Sequence, residues 1–93
     1  MSEYIEIEAE LDEDGRTIFF QTNLPLTAGE ATETYDSPEA LAFGSPVAQM
    51  LAGIDGITAA EITGDVLLVV CESPAGWHMV AADVSAALKD LYL

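Results

Sequence analysis

The sequence predicts a two-layer α+β domain, in which a mainly antiparallel sheet of about four to five strands carries two main helices on one face. Residues 4–11 alternate between apolar and acidic side chains, which is the period of a half-buried strand. Residues 66–71 are consecutively apolar, as in a strand that is covered on both sides or lies centrally in its sheet. Residues 77–91 carry apolar side chains at helical spacing.

The first two strands are predicted to form a hairpin. Asp14-Gly15 is a turn signal, and residues 17–22 return as the second strand. The alternation in the first strand assigns its apolar side chains to the core and its glutamates to solvent: inward Ile5, Ile7, Ala9 and Leu11, outward Glu6, Glu8 and Glu10.

Phe19 and Phe20 are adjacent in the second strand, so a regular strand points them to opposite faces of the sheet. If helices cover only one face, one of the two rings is exposed, and an interface is the natural explanation. This pair is the best local indication of binding.

The middle of the chain contains two helix starts. Ser37-Pro38 and Ser45-Pro46 each place a capping residue before a proline at the first helical position. Before them, residues 31–36 form an edge-like strand with Ala31, Glu33 and Tyr35 on one face, and whether this strand joins the sheet is left open.

The second half is predicted as strand, turn, strand and helix. Residues 57–63 read as a strand, Gly64-Asp65 as a turn, and residues 73–76 open the last helix. The apolar stripe of that helix consists of Trp77, Val80, Ala81, Val84, Leu88 and Leu91. Trp77 is read mainly as an anchor of this helix on the sheet, with an exposed interface residue as the alternative.

Length and charge limit the function. The 93 residues make a single domain, 1–93, with 17 acidic and 2 basic residues and a net charge of −15. So few cations exclude nucleic acid and disfavour an anionic membrane surface. No apolar run reaches the roughly 20 residues that span a bilayer, and the acidic residues 1–6 lack the basic region of a signal peptide. We therefore expect a cytoplasmic protein.

Two explanations of the acidity remain open: a solvated surface suited to a high-salt cytoplasm, or a docking face for a basic protein. Seven acids lie in the first 14 residues, so a docking face would be built by the N-terminal strands.

The sequence predicts no catalytic, cofactor-binding or metal-binding residue. Cys71 is the only cysteine, and its apolar strand favours a buried, inert thiol over a reactive one or a ligand shared with a second chain. His78 is the only histidine, and its helical spacing turns it away from the Trp77 stripe to an exposed position. The sequence contains no nucleophile motif for which His78 could act as the base. We therefore expect that the protein is not an enzyme.

An ordered set of motifs resembles the N-terminal domain of the Nfu/NifU-like iron–sulfur scaffold proteins: Ser45-Pro46-Val47-Ala48, Leu51, Gly56-Ile57, Gly64-Asp65-Val66-Leu67 and Trp77. That family has a Thr-Pro-Asn-Pro-type first turn where this chain has residues 12–15, and threonine and lysine in the strand that here carries Leu68, Val70 and Cys71. The cluster-binding CxxC of such scaffolds lies in a separate domain, and this sequence contains none. The resemblance thus implies the fold and an accessory role near iron–sulfur assembly, without a cluster ligand.

Together these observations predict a non-enzymatic, acidic protein-interaction module, accessory to iron–sulfur cluster assembly or transfer. Its expected partner is a protein, either basic or part of the assembly machinery, and the sequence leaves its oligomeric state open. The candidate interaction residues are Phe19, Phe20, Glu6, Glu8, Glu10 and Trp77. The alternatives are a cluster-handling protein that uses Cys71 between chains, and a small enzyme that uses His78.

Overall fold

The computed structural model describes residues 5–27, 29–72 and 74–92. It shows a five-stranded sheet in the order β1-β2-β5-β4-β3, with every neighbouring pair antiparallel. The predicted α+β class is confirmed. The elements in chain order are β1 (Ile7–Leu11), β2 (Thr17–Thr22), β3 (Thr32–Tyr35), α1 (Pro38–Ala42), α2 (Pro46–Ala52), β4 (Ile57–Thr63), β5 (Val66–Cys71), a 3₁₀ turn (Pro74–Gly76) and α3 (Trp77–Tyr92).

Both predicted hairpin turns are confirmed. In the β1–β2 turn, the Asp14 carboxylate accepts hydrogen bonds from the backbone N–H groups of Arg16 (2.9 Å) and Thr17 (2.8 Å), and Gly15 takes a φ of 75°. In the two-residue β4–β5 turn, Gly64 has a φ of 59° at the first position, as a type II′ turn requires.

The helices cover one face of the sheet. Ile18 and Phe20 of β2 and Leu67 and Val69 of β5 are fully buried in one cluster with apolar residues of all three helices. The predicted central position of β5 is confirmed, but its side chains alternate between buried and half-buried, so only one of its two faces lies under helices. The continuous apolar run therefore reflects a central position and not a strand buried on both sides.

The short helices begin where the sequence indicates. The Ser37 hydroxyl accepts a hydrogen bond from the Ala40 N–H at 3.1 Å, and the Ser45 hydroxyl accepts one from the Ala48 N–H at 3.3 Å. These caps satisfy N–H groups that a helix leaves without an internal partner.

The edge strand β3 joins the sheet through β4, which settles the question that the sequence left open. Glu33 and Tyr35 share its helix-side face, as predicted from their spacing. The Tyr35 hydroxyl donates to the Glu33 carboxylate at 2.7 Å and accepts from the Ser45 N–H at 3.2 Å. Tyr35 thereby links the edge of the sheet to the start of α2.

The connection from β2 to β3 is held against the β4–β5 turn. The Leu26 N–H donates to the Gly64 carbonyl at 2.8 Å, and the Gly64 N–H donates to the Thr27 hydroxyl at 2.7 Å. The buried Thr22 hydroxyl donates to the Asp65 carbonyl at 2.8 Å and accepts from the Leu24 N–H at 3.1 Å. These bonds give a loop without regular structure a defined path across the end of the sheet.

Two side-chain expectations differ from the structure. Leu91 is 42 % exposed and does not continue the α3 stripe, because the last turn contacts the domain through Tyr92, whose hydroxyl donates to the Pro25 carbonyl at 3.3 Å. Ala9 is exposed, since β1 is an edge strand that the helices cover incompletely. Tyr4 and Ser73 lie outside the described residues. No helix in the described ranges is long and apolar enough to cross a membrane.

Candidate interaction face

The face of the sheet opposite the helices is the candidate site, and we call it the open face. Strand register identifies its members, because a side chain shares its face with the directly paired residue of the next strand. They are Glu8 and Glu10 of β1, Thr17, Phe19 and Gln21 of β2, Val66, Leu68 and Val70 of β5, Ala59, Glu61 and Thr63 of β4, and Thr32 and Thr34 of β3.

An apolar stripe runs along the middle of the open face. It consists of Val66, Leu68 and Val70 of β5, all half-buried, together with Phe19, which is 38 % exposed and pairs with Leu68. Phe19 borders two shallow depressions, one shared with the edge strand β1 and the other with Leu68 and the β1–β2 turn. The ring is thus accessible from either side of β2.

Carboxylates flank this apolar stripe. One row across the sheet runs from Glu10 through Phe19 and Leu68 to Glu61, so an acidic side chain ends the apolar pair in each direction. Neighbouring strands lie about 4.8 Å apart, which puts Glu61 one strand from Leu68 and Glu10 two strands away on the other side.

No strand residue is basic, since the only two cations of the sequence lie elsewhere. Arg16 belongs to the β1–β2 turn, where its guanidinium donates to the Glu72 carbonyl at 2.7 Å, and Lys89 belongs to α3. The strands therefore give the open face carboxylates and no cation of their own, and Lys89 borders only the depression that it shares with Glu6 and Glu8.

The structure places Phe19 and Phe20 on opposite faces, as predicted. Phe20 is 0 % exposed in the core and is not accessible to a partner. Of this pair, only Phe19 can contact a partner. Glu6 is exposed just before β1, where its N–H donates to the Asn23 side-chain oxygen at 3.0 Å. It extends the acidic edge begun by Glu8 and Glu10.

Trp77 lies on the other side of the molecule. It is half-buried against the core at the start of α3, so the structure does not bring it to the open face. Its ring centroid is 4.0 Å from that of His78, with the planes tilted by 32°. His78 is exposed, as predicted, but its ring contacts Trp77 and is not turned away from it.

Cys71 is 1 % exposed on the helix side of β5, and burial raises the pKa of its thiol. A thiol there cannot reach a ligand shared with another chain while the fold is intact. Among the described residues, no group of three or more His, Cys, Asp and Glu side chains could hold a metal ion.

Sequence reasoning missed the outward residues of β5 and Glu61 as parts of the site. The continuous apolar run from residue 66 to residue 71 does not by itself distinguish the outward Val66, Leu68 and Val70 from their buried neighbours. The signal that could have found them is the combination of a central strand with helices on a single face, because every second residue of that strand must then face away from the core.

No protein-family model matches this chain, and no curated protein matches it either. The likeness to the Nfu/NifU-like N-terminal domain therefore rests on the motifs quoted above.

Proposed function

We propose that this protein is a non-enzymatic interaction module that docks a basic protein partner on the open face of its sheet. The observation that carries the proposal is the apolar stripe. A sheet face in contact with water normally presents polar side chains, but here the three outward positions of the central strand are Val66, Leu68 and Val70, beside the exposed Phe19. A partner that covers the stripe removes this apolar surface from water.

The acidic charge gives this face a preference among partners. A net charge of −15 and the carboxylates of Glu8, Glu10 and Glu61 attract a basic surface over distance and raise its rate of association. Like charges repel acidic competitors, which adds specificity. At physiological ionic strength, salt screens the attraction between charges that are more than about 8 Å apart, and this distance shortens as salt is added. The binding should therefore weaken as the salt concentration rises.

The iron–sulfur context of the proposal rests on the sequence resemblance. In that setting the domain would recruit a protein of the assembly machinery and leave the cluster to its partner. The buried position of Cys71 supports this division of roles, because the only thiol of the chain is enclosed in the core.

The test is affinity capture from the lysate of its own cell at low and at high salt, with identification by mass spectrometry. The matched variants are Phe19→Thr on the open face and Phe43→Thr, which changes a 90 % exposed ring at the end of α1. We expect the wild type and Phe43→Thr to retain the same proteins at low salt, and Phe19→Thr to lose them. Iron–sulfur assembly proteins among them would support the context.

Equal retention by Phe19→Thr would contradict docking on the open face. A blank from the wild type at both salt concentrations would leave the acidity as a property of a solvated surface and would overturn the proposal.

A further inference from the structure

We propose that the occupant of the open face is an amphipathic α-helix of the partner, lying along β5 with its apolar side on the stripe and Lys or Arg on its flanks. The inference rests on the proposed docking function and adds the shape and chemistry of the ligand. Three features of the face carry it: the length of the stripe, its width between carboxylates, and the charge around it.

The length of the stripe matches a short helix. Val66 and Val70 are four residues apart in β5, which corresponds to about 13 Å along an extended strand. Apolar residues at positions i, i+3 or i+4 and i+7 of a helix cover about 10.5 Å along its axis. Three such residues would therefore meet most of the length of the stripe.

The width of the stripe also fits. A helix with its side chains is about 10–12 Å across, or roughly two strand spacings. Placed over β2 and β5, it would contact Phe19 and Leu68 and would lie between Glu10 on one side and Glu61 on the other. Lys and Arg side chains lay their apolar stems on such a surface and extend their charges outward, which brings them to both rows of carboxylates.

The same charges disfavour a second copy of this chain as the occupant. A two-fold interface would place the open face against itself, with Glu8, Glu10 and Glu61 of both copies in one contact and no basic strand residue to compensate. An extended peptide added to the free edge of β1 would satisfy backbone groups of that strand, but it would leave Leu68 and its neighbours uncovered.

A displayed library of random peptides tests the inference without assuming a sequence. The peptides should be about 18 residues long, enough for an isolated helix to form. Selection on the wild-type protein is followed by depletion on Phe19→Thr, and the same selection is repeated with depletion on Phe43→Thr as the control. Leu68→Thr serves as a second open-face variant in case the first alters folding, which circular dichroism and urea unfolding would reveal.

We expect the enriched peptides to carry apolar residues at helical spacing with Lys or Arg beside them. Their affinity should fall about tenfold or more for Phe19→Thr or Leu68→Thr, as at the centre of an interface, and less than about twofold for Phe43→Thr. Amide shifts on titration with the best peptide should map to Phe19, Leu68 and Glu61, and the double variant Glu10→Gln/Glu61→Gln should reduce the salt dependence of binding.

Enriched peptides with period-two alternation that still depend on Phe19 would overturn the helix inference and leave the docking function standing. Peptides that bind the wild type and Phe19→Thr equally, or a failure to enrich any peptide, would overturn the inference. The docking function is tested separately, and it would be overturned if Phe19→Thr captured the same proteins from the lysate as the wild type. Self-association that Phe19→Thr abolishes would identify a second copy as the occupant and would also overturn the inference.

Discussion

Phe19 and Phe20 are neighbours in one strand, yet the two faces of the sheet give them opposite environments. Phe20 lies under the helices at 0 % exposure, while Phe19 is 38 % exposed on the open face. The alternation of a strand separates the two rings, and the helix layer alone decides which of them is enclosed. One apolar surface of the sheet therefore stabilises the fold, and the other stays partly in contact with water, where we propose that a partner binds.

The two faces differ accordingly in their contribution to stability. Full burial of a Val, Leu, Ile or Phe side chain contributes about 1.5–3 kcal/mol, and Ile18, Phe20, Leu67 and Val69 are all fully buried on the helix side. The outward Val66, Leu68 and Val70 are only half-buried. Substitutions on the open face should thus lower the free energy of unfolding less than substitutions on the helix side.

The largest effect that we expect separates the two phenylalanines. Phe20→Ala should lower the free energy of unfolding by about 3–5 kcal/mol, because it leaves a cavity in the core. Phe19→Ala should lower it by about 1 kcal/mol or less, since its ring is partly in water already. Urea unfolding of both variants measures the difference, and equal losses would show that the two faces are covered alike.

The second-largest effect is expected from a substitution at Gly44, at the edge of the helix-covered face. Gly44 lies between α1 and α2, where an added Cβ would overlap the Tyr35 ring and come within 2.7 Å of the Ala48 Cβ. Gly44→Ala should therefore destabilise by about 1–3 kcal/mol through overpacking. Gly76→Ala is the matched control, because an added Cβ there meets nothing within 4 Å. Thermal unfolding that ranks the two variants the other way would argue against this close approach of Tyr35.

A smaller effect is expected from the buried hydroxyl of Thr22. Thr22→Val keeps the shape but leaves the Leu24 N–H without its hydroxyl partner, while the Asp65 carbonyl still accepts from the Thr22 backbone N–H at 3.0 Å. We therefore expect the free energy of unfolding to fall by about 1 kcal/mol. Thr34→Val makes the same change at an exposed position of the open face and should stay within about 0.5 kcal/mol of the wild type. Denaturant unfolding compares the pair, and a neutral Thr22→Val would mean that the loop is held by its other bonds.

The smallest effect concerns the β1–β2 turn and its dependence on pH. Hydrogen bonds from the Thr17 hydroxyl and from the backbone N–H groups of Arg16 and Thr17 lower the pKa of Asp14 below its ordinary value of 3.8. A lowered pKa in the folded state means that Asp14 stabilises above that ordinary value, and that the stabilisation is lost as pH falls through the folded pKa.

Asp14→Ala should therefore lower the melting temperature slightly at neutral pH and converge with the wild type in strong acid. Glu13→Ala removes the same charge from the same turn and serves as the control. A gap between Asp14→Ala and the wild type that persists unchanged at the lowest pH would contradict this origin of the stabilisation.

Local signals predicted much of the fold and part of the site. The strand β1, the glycine turns at Gly15 and Gly64 and the serine caps at Ser37 and Ser45 are all found in the structure, although the expected burial of Ala9 is not. Each depends on a hydrogen bond or a period that a few neighbouring residues complete among themselves. The opposite orientation of Phe19 and Phe20 followed from the same rule, without any knowledge of the rest of the chain.

The sequence by itself thus determined the strands, turns and helix starts, the acidic charge, and the exposure of one of two adjacent rings. Only the tertiary structure decided which ring it is, that β3 joins the sheet, that Trp77 lies away from the open face, and that Glu61 lies beside Leu68. The physical reason is distance along the chain. Strand order and helix placement are set by contacts between residues far apart in sequence, and no local period or capping bond encodes those contacts.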